Sequence, residues 1–388
     1  MAYHSSRGGS SRRRKKKAPK PQFDPRQFIN KNPAPAEPEP DYEAEHDFKD
    51  FPVDRRLVGK LESMGIVTPS PIQDKIIHNV LDGHDVIGLA ETGTGKTLAF
   101  LFPLIHKTFA GQNRKTLILT PTRELAIQIA QEFRKLSGGM RLGHVVCVGG
   151  SPIRFQIRDL KRPHEFLIGT PGRVMDLIDK GHINPKAFDS VVLDEADRML
   201  DMGFINDMRQ IVLAVPESRQ TLFFSATMTK EAERVSDEFL TDPITVAVKK
   251  TDVTSSVVQD VVEYVPHLKF ERLHELLEDP AMDRVIIFVE RKHLADDLAY
   301  TLQDVGIETV SLHGDKEHRQ RQIALKQFKD GKARVLVATD VAARGIHVDD
   351  VSHVINYDLP QQFEDYVHRI GRTGRGDKRG IALSFVTN

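Results

Sequence analysis

The eight residues Ala90-Glu91-Thr92-Gly93-Thr94-Gly95-Lys96-Thr97 have the composition of a loop that cradles phosphate. Gly93 and Gly95 let the backbone curl until its N–H groups converge on an anion. Lys96 brings a point charge to the outer phosphates, and the Thr97 hydroxyl suits Mg2+. The apolar run Asp85–Leu89 comes before the loop and a helical pattern follows it. In that setting a helix N-terminus adds favourable partial charge. Further along, Val191-Val192-Leu193-Asp194-Glu195-Ala196-Asp197 places adjacent carboxylates at the end of a second apolar run. Asp194 is positioned to hold Mg2+ through its water shell, and Glu195 to orient or deprotonate an attacking water. Phosphoryl transfer is catalysed mainly by positioning and charge stabilisation, so it needs both groups. Each feature alone has an ordinary explanation, a Gly-rich turn or a solvated strand end. Together they point to hydrolysis of a bound phosphate chain with Mg2+.

These residues must be held by a framework, and the apolar pattern supplies one. Asp85–Leu89, Thr116–Leu119, Phe166–Ile168, Val191–Leu193 and Thr221–Phe224 read as short buried strands. Helical stretches lie between them; Leu125–Phe133 puts residues 125, 126, 129, 130 and 133 on one face. Strand–helix alternation implies a parallel sheet covered by helices. The pattern recurs with Val285–Val289, Val335–Ala338, Val354–Tyr357 and Ile381–Val386, after the polar stretch Lys249–Ser256 that reads as a linker. The chain of 388 residues is therefore expected to divide into a tail over 1–46, a first domain over 47–248, a linker over 249–256 and a second domain over 257–388, with a cleft between the domains. It stops at Asn388 just after the last strand, so that strand is expected to be complete and any following helix or tail to be absent.

Lys+Arg and Asp+Glu are equal at 55 each, so a basic surface for nucleic acid has to be local. The tail carries the run Arg12–Lys17, then Pro33, Pro35, Pro38 and Pro40, then a cluster of acids, and reads as disordered. Its basic arm either binds RNA non-specifically through counterion release or is a solvated tail. Cys147 is the single cysteine, which excludes a disulfide framework and fits a reducing cytoplasm. No apolar run is long enough to cross a bilayer, and the basic start lacks the apolar stretch of a secretory signal.

Asp194-Glu195-Ala196-Asp197, with further motifs in the same order from about Phe48 to Val386, resembles the DEAD-box ATP-dependent RNA helicases, of bacterial type. The resemblance implies two tandem RecA-like domains, each a parallel sheet flanked by helices, behind a disordered basic tail. It implies that Lys96, Asp194, Glu195, Arg372 and Arg375 are catalytic, the two arginines reaching the γ-phosphate across the cleft. Thr97 and Asp194 would hold Mg2+. Phe48, Gln73, Thr92, Gly93, Thr94, Gly95, Lys96, Thr97 and Gly345 would bind the nucleotide. Phe48 would stack on adenine, with Phe51 a rival and core packing an alternative for both; Gln73 would read the adenine edge. Pro121, Thr122, Arg123, Gly150, Thr170, Gly172, Arg173, Arg291, Gly314, Arg321 and Thr339 would touch the RNA backbone, including the ribose 2′-OH. Arg123 can equally be structural. Ser225 and Thr227 would bond Asp197 and couple hydrolysis to unwinding, although small hydroxyl residues are also routine helix caps.

Two residues depart from the family pattern. His347 stands where a ribose-binding Asp is usual, and His318 where a Gln is common. The expected partners are ATP and RNA, with no membrane, and the expected action is closure of two lobes around both ligands. An RNA clamp with rare turnover and a DNA helicase of the same superfamily are the alternatives.

Overall fold

The computed structural model describes residues 23–31, 42–91, 93–248, 257–340, 351–374 and 380–387. The first lobe runs through α1 (Arg55–Ser63), α2 (Pro71–Leu81), β1 (Val86–Leu89), α3 (Lys96–Phe109), β2 (Thr116–Leu119), α4 (Arg123–Leu136), β3 (His144–Cys147) and α5 (Ile153–Leu160). It continues through β4 (Phe166–Gly169), α6 (Pro171–Asp179), β5 (Ser190–Leu193), α7 (Ala196–Asp201), α8 (Ile205–Ala214), β6 (Gln220–Ser225), α9 (Lys230–Phe239) and β7 (Ile244–Ala247). The second lobe comprises β8 (Val257–Tyr264), α10 (Lys269–Leu277), β9 (Val285–Phe288), α11 (Lys292–Asp304), β10 (Thr309–Leu312), α12 (His318–Lys329), β11 (Val335–Ala338), β12 (His353–Asn356), α13 (Phe363–Ile370) and β13 (Gly380–Thr387).

The first sheet is ordered β3-β4-β2-β5-β6-β1-β7 and the second β10-β11-β9-β12-β13-β8. Every strand pair in both is parallel. Alternate residues of each central strand enter opposite cores, as the two-residue strand period requires. Ile118, Val192, Leu222 and Phe224 pack on the face covered by α2, α3 and α4, while Leu117, Val191, Leu193 and Phe223 pack on the other. The two tandem RecA-like lobes are therefore each a sheet buried on both sides. Among the described residues no helix is long and apolar enough to cross a membrane.

The tail expected over 1–46 does not hold for two short stretches. Pro25–Phe28 forms a 3-10 turn capped by the Asp24 side chain, and Asn30 bridges Gln259. Tyr42, Glu45 and His46 bond to Asp74. The aromatic residues Phe23 and Phe28 give this segment something to bury, which the neighbouring charge and proline runs conceal. The basic run, the proline-rich stretch and the linker at 249–256 lie outside the described residues.

Gly88 is required on β1 by close approach. A Cβ there would lie 2.6 Å from the Phe224 ring and 3.0 Å from Ile76 Cδ1. Gly88→Ala is expected to cost about 1–3 kcal/mol of stability by overpacking, measured as a lower urea midpoint at unchanged slope.

Candidate active site

Because the strands are parallel, the loops that follow them share one rim of each lobe. In the first lobe the phosphate loop follows β1, Asp194 follows β5, and Ala226-Thr227 follow β6. These three strands are neighbours in the order β5-β6-β1. Pro121, Gly149-Gly150 and Thr170 follow β2, β3 and β4, the adjoining neighbours β3-β4-β2. The rim is thus divided into a nucleotide half and an expected RNA half.

In the nucleotide half, Gly93 and Gly95 both have φ of +93°, which L side chains rarely adopt. Gly95 has a second constraint, since a Cβ would lie 2.2 Å from Gln73 Nε2. Gln73 is buried; its Nε2 donates to Gly95 O at 3.1 Å and its Oε1 accepts from Ser70 N at 2.9 Å. Ser70 Oγ donates to Thr94 O at 2.7 Å. Gln73 therefore braces the phosphate loop. Lys96 Nζ donates to Ala90 O at 2.7 Å, which anchors it inside the loop. A cavity of 590 Å³ is lined by Gly93–Thr97, Asp194 and Glu195, with Ile66 and Thr68 on its far wall.

Phe48 does not line this cavity. Its ring is 2% exposed and packs edge-on against Phe102, 5.5 Å between centroids. Phe51 and Phe102 flank the ring, which is the packing expected of the core alternative. Thr92, Gly345, Arg375 and His347 lie outside the described residues.

Asp194 is 3% exposed. Burial pushes its carboxyl up to about 7, against the opposing pull of the Lys96 ammonium. Glu195 has φ of +53°, an uncommon conformation for a non-glycine residue, and accepts from Arg198 Nη1 at 2.6 Å. Asp197 Oδ2 accepts from Ala226 N, Thr227 N and Thr227 Oγ1 at 3.1, 2.9 and 3.0 Å. The expected link between Thr227 and Asp197 is therefore present. Ser225 makes no such bond; its hydroxyl donates to Thr227 O and fixes the loop.

The expected RNA half is a cluster of guanidiniums. Arg123 lies against Gly150, where a Cβ would fall 1.8 Å from Nη1. Arg173 Nη1 donates to Ser151 O at 3.1 Å. Arg321, from the second lobe, pairs with Glu124 at 3.0 Å, with both side chains 12% exposed. Burial first, then Arg321 and Arg173, hold the Arg123 guanidinium below its usual range, with Glu124 opposing. Thr122 and Thr170 cap α4 and α6, and Gly172 sits in the first turn of α6. In the second lobe Arg291, Gly314 and Thr339 follow β9, β10 and β11, adjacent strands once more.

Three partnerships were not anticipated from the sequence. Arg369 makes a bidentate pair with Asp340 and also bonds Asn356 Oδ1 and Asp358 O, so it joins the ends of β11 and β12. Its motif neighbour Arg372 is 8% exposed, with Nε donating to His368 O. Arg198 holds Glu195, and Glu124 meets Arg321 across the cleft.

A parallel-sheet lobe with a phosphate loop beside paired carboxylates defines a P-loop nucleotide hydrolase. Residues 70–235 match the DEAD/DEAH box helicase family and residues 268–377 the helicase conserved C-terminal domain. The chain belongs to the DEAD/DEAH box helicase family. It is 43% identical to the ATP-dependent RNA helicase CshA of Listeria monocytogenes over 87% of this chain and 66% of that protein. It is likewise 43% identical to the DEAD-box ATP-dependent RNA helicase CshA of Bacillus subtilis, over 88% of this chain and 69% of that protein. It thus spans about two thirds of the length of these curated relatives. Among solved structures, Saccharomyces cerevisiae Dbp5 bound to RNA and ADP-BeF3 matches with a TM-score of 0.78 at 29% identity, over 88% of this chain and 89% of that one. A DEAD box protein from Methanococcus jannaschii matches at 0.51 despite 38% identity, over 88% and 93%. The arrangement of lobes here is accordingly nearer to that of the Dbp5 complex.

The Asp194 carboxyl gives a pH signature. Its folded pKa lies above the unfolded value of 3.8, so the folded state binds the extra proton and stability falls as pH rises from about 4 to about 7. Asp194→Asn removes that loss. Without ligands the variant should gain on the parent between pH 5 and 8, by on the order of 4 kcal/mol at most; parallel melting-temperature curves would contradict this.

Proposed function

We propose that the chain is an ATP-dependent RNA helicase that closes on RNA and ATP together and parts short duplexes or remodels RNA–protein complexes. The observation that carries this reading is the bonding of Asp197 to the β6 loop. It ties together the loops after β5 and β6, within the nucleotide half of the rim, through three hydrogen bonds. The lobe arrangement near that of RNA-bound Dbp5 supports it as well.

ATP is the substrate, held by Lys96 and the backbone N–H groups of Gly93–Thr97, with Gln73 bracing the loop. The residues fit Mg2+: no three described His, Cys, Asp or Glu side chains form a cage, but Thr97 and Asp194 face one cavity. Such a site binds Mg2+ together with phosphate oxygens. Mg2+ there would neutralise charge on the outer phosphates. Glu195 orients the water or takes its proton, while Arg198 holds the carboxylate in place. Arg372 and Arg375 supply positive charge from the second lobe.

RNA is read through its backbone. Arg321 pairs with Glu124, which also acts on Arg123, and Arg173 lies 3.9 Å from Asp176, so three guanidiniums face two carboxylates and positive charge is left in excess in a half-buried place. A phosphate satisfies that excess, and guanidiniums suit phosphate oxygens. Arg291, Gly314 and Thr339 extend the track on the second lobe, and the 2′-OH separates RNA from DNA. If closure needs both ligands, each must tighten the other. One observation favours the slow-turnover clamp instead: Glu195 is tied to Arg198 at 2.6 Å. Single-turnover hydrolysis compared with RNA residence time separates the two readings.

Steady-state ATP hydrolysis is expected to rise strongly with single-stranded RNA and much less with matched DNA. Glu195→Gln should lower it by roughly 10²–10⁴-fold while ATP still binds. Equal turnover with and without RNA would sink the closing mechanism.

A further inference from the structure

Residues 23–31 pack on the second lobe, although the first lobe follows them in sequence. The Phe28 ring stacks on Phe363 with centroids 4.6 Å apart. Phe23 meets Phe363 edge-on at 5.7 Å and Tyr366 at 5.4 Å. The backbone of Asn30 exchanges two hydrogen bonds with Gln259, at 2.8 and 2.9 Å. Arg26 Nη2 donates to Thr387 O at 3.0 Å, and Lys31 pairs with Asp260 at 3.0 Å. Aromatic contacts, a backbone bridge and charge pairing thus act at one place, the exposed side of α13, β8 and β13.

A few residues later the chain is fixed to the first lobe. The Tyr42 hydroxyl, Glu45 N and His46 Nδ1 meet the Asp74 carboxylate at 2.6, 2.7 and 2.7 Å. Asp74 has a side chain 1% exposed and directly follows Gln73, the brace of the phosphate loop. The Phe48 ring, in the core, completes this anchor.

We propose that residues 23–31 are a clasp: docked non-covalently on the aromatic face of the second lobe, they give the two lobes a second connection that limits how far the cleft opens. The first connection is the chain between β7 and β8. Eleven peptide steps separate Lys31 from Tyr42, and in any conformation these reach no further than about 36–40 Å. A second tether removes part of the freedom of the open state and so lowers the entropic cost of closing. The occupant of the aromatic face is this chain's own segment, and the proposal rests on the closing mechanism above.

The test uses the full chain labelled at Leu213→Cys and Tyr300→Cys, which are exposed positions on different lobes. The native Cys147 is buried, with its thiol pushed up to about 12, and will not compete for label. Interlobe distances are measured with and without RNA and a non-hydrolysable ATP analogue. Two variants are compared with the parent. Phe23→Ala with Phe28→Ala releases the clasp, and a flexible insert of about 20 Gly/Ser residues between Lys31 and Tyr42 keeps it docked but slackens it. Both keep the basic arm, so its counterion effect is unchanged. Without ligands both variants should show a broader, longer distance distribution. With the analogue both should bind RNA roughly three- to tenfold more weakly. Identical distributions in parent and variants overturn the clasp. So does broadening by the double substitution alone, because contact rather than tethering would then matter. If the parent's own distance fails to shorten with both ligands, the closing mechanism fails instead.

Discussion

Parallel strand direction is the constraint on which this molecule depends. Every strand of a lobe ends at the same edge, so every loop able to carry chemistry is brought there without further design. Strand order then decides which loops meet. β1, β5 and β6 are neighbours, and the phosphate loop, the paired carboxylates and the loop carrying Thr227 come together. β2, β3 and β4 are neighbours, and their loops gather Arg123, Gly150 and Arg173. Residues far apart in sequence become partners because the sheet orders them so.

On this rim Asp197 and Arg369 do comparable work in opposite lobes. Both are buried charged groups; Asp197 holds the loop after β6, and Arg369 holds the ends of β11 and β12. A buried charge tolerates little loss of partners, so each holds its loops in one arrangement. Glu124 and Arg321 carry the same principle across the cleft, where the pair exists only while the lobes are apposed. Its exposure of 12% on both sides makes it stronger than a surface pair and weaker than a core one.

Central strands were legible in the sequence and edge strands were not. β2, β5, β6, β9 and β11 are apolar at nearly every position because both their faces are covered. β3, β7, β8 and β10 are the four sheet edges, and none was anticipated. Their buried positions alternate with half-exposed ones, as in Val257–Tyr264, and so blend with loop sequence. Site residues followed the same logic. Gly93, Gly95, Lys96, Asp194 and Asp197 declared themselves because backbone sterics and charge restrict what can stand there. Phe48 was ambiguous because spacing alone cannot tell a ring that faces a ligand from one that packs on Phe102. Arg198 was missed as an anchor although Glu195 lies only three residues before it, and Arg369 because its partners are set by tertiary structure.

The bridge between Asn30 and Gln259 bears on assembly as well as on opening. β8 is an edge strand, and an uncovered edge offers unpaired N–H and C=O groups to another copy of the chain. Residues 23–31 occupy part of that edge themselves, with Asp260 engaged by Lys31 and Glu263 close to Arg26. The segment thereby blocks a site at which two molecules could pair strand to strand. A chain trimmed to start after Lys31 keeps both lobes and every motif, yet presents bare backbone and the Phe363 and Tyr366 rings side by side, which is a recipe for self-association at high concentration.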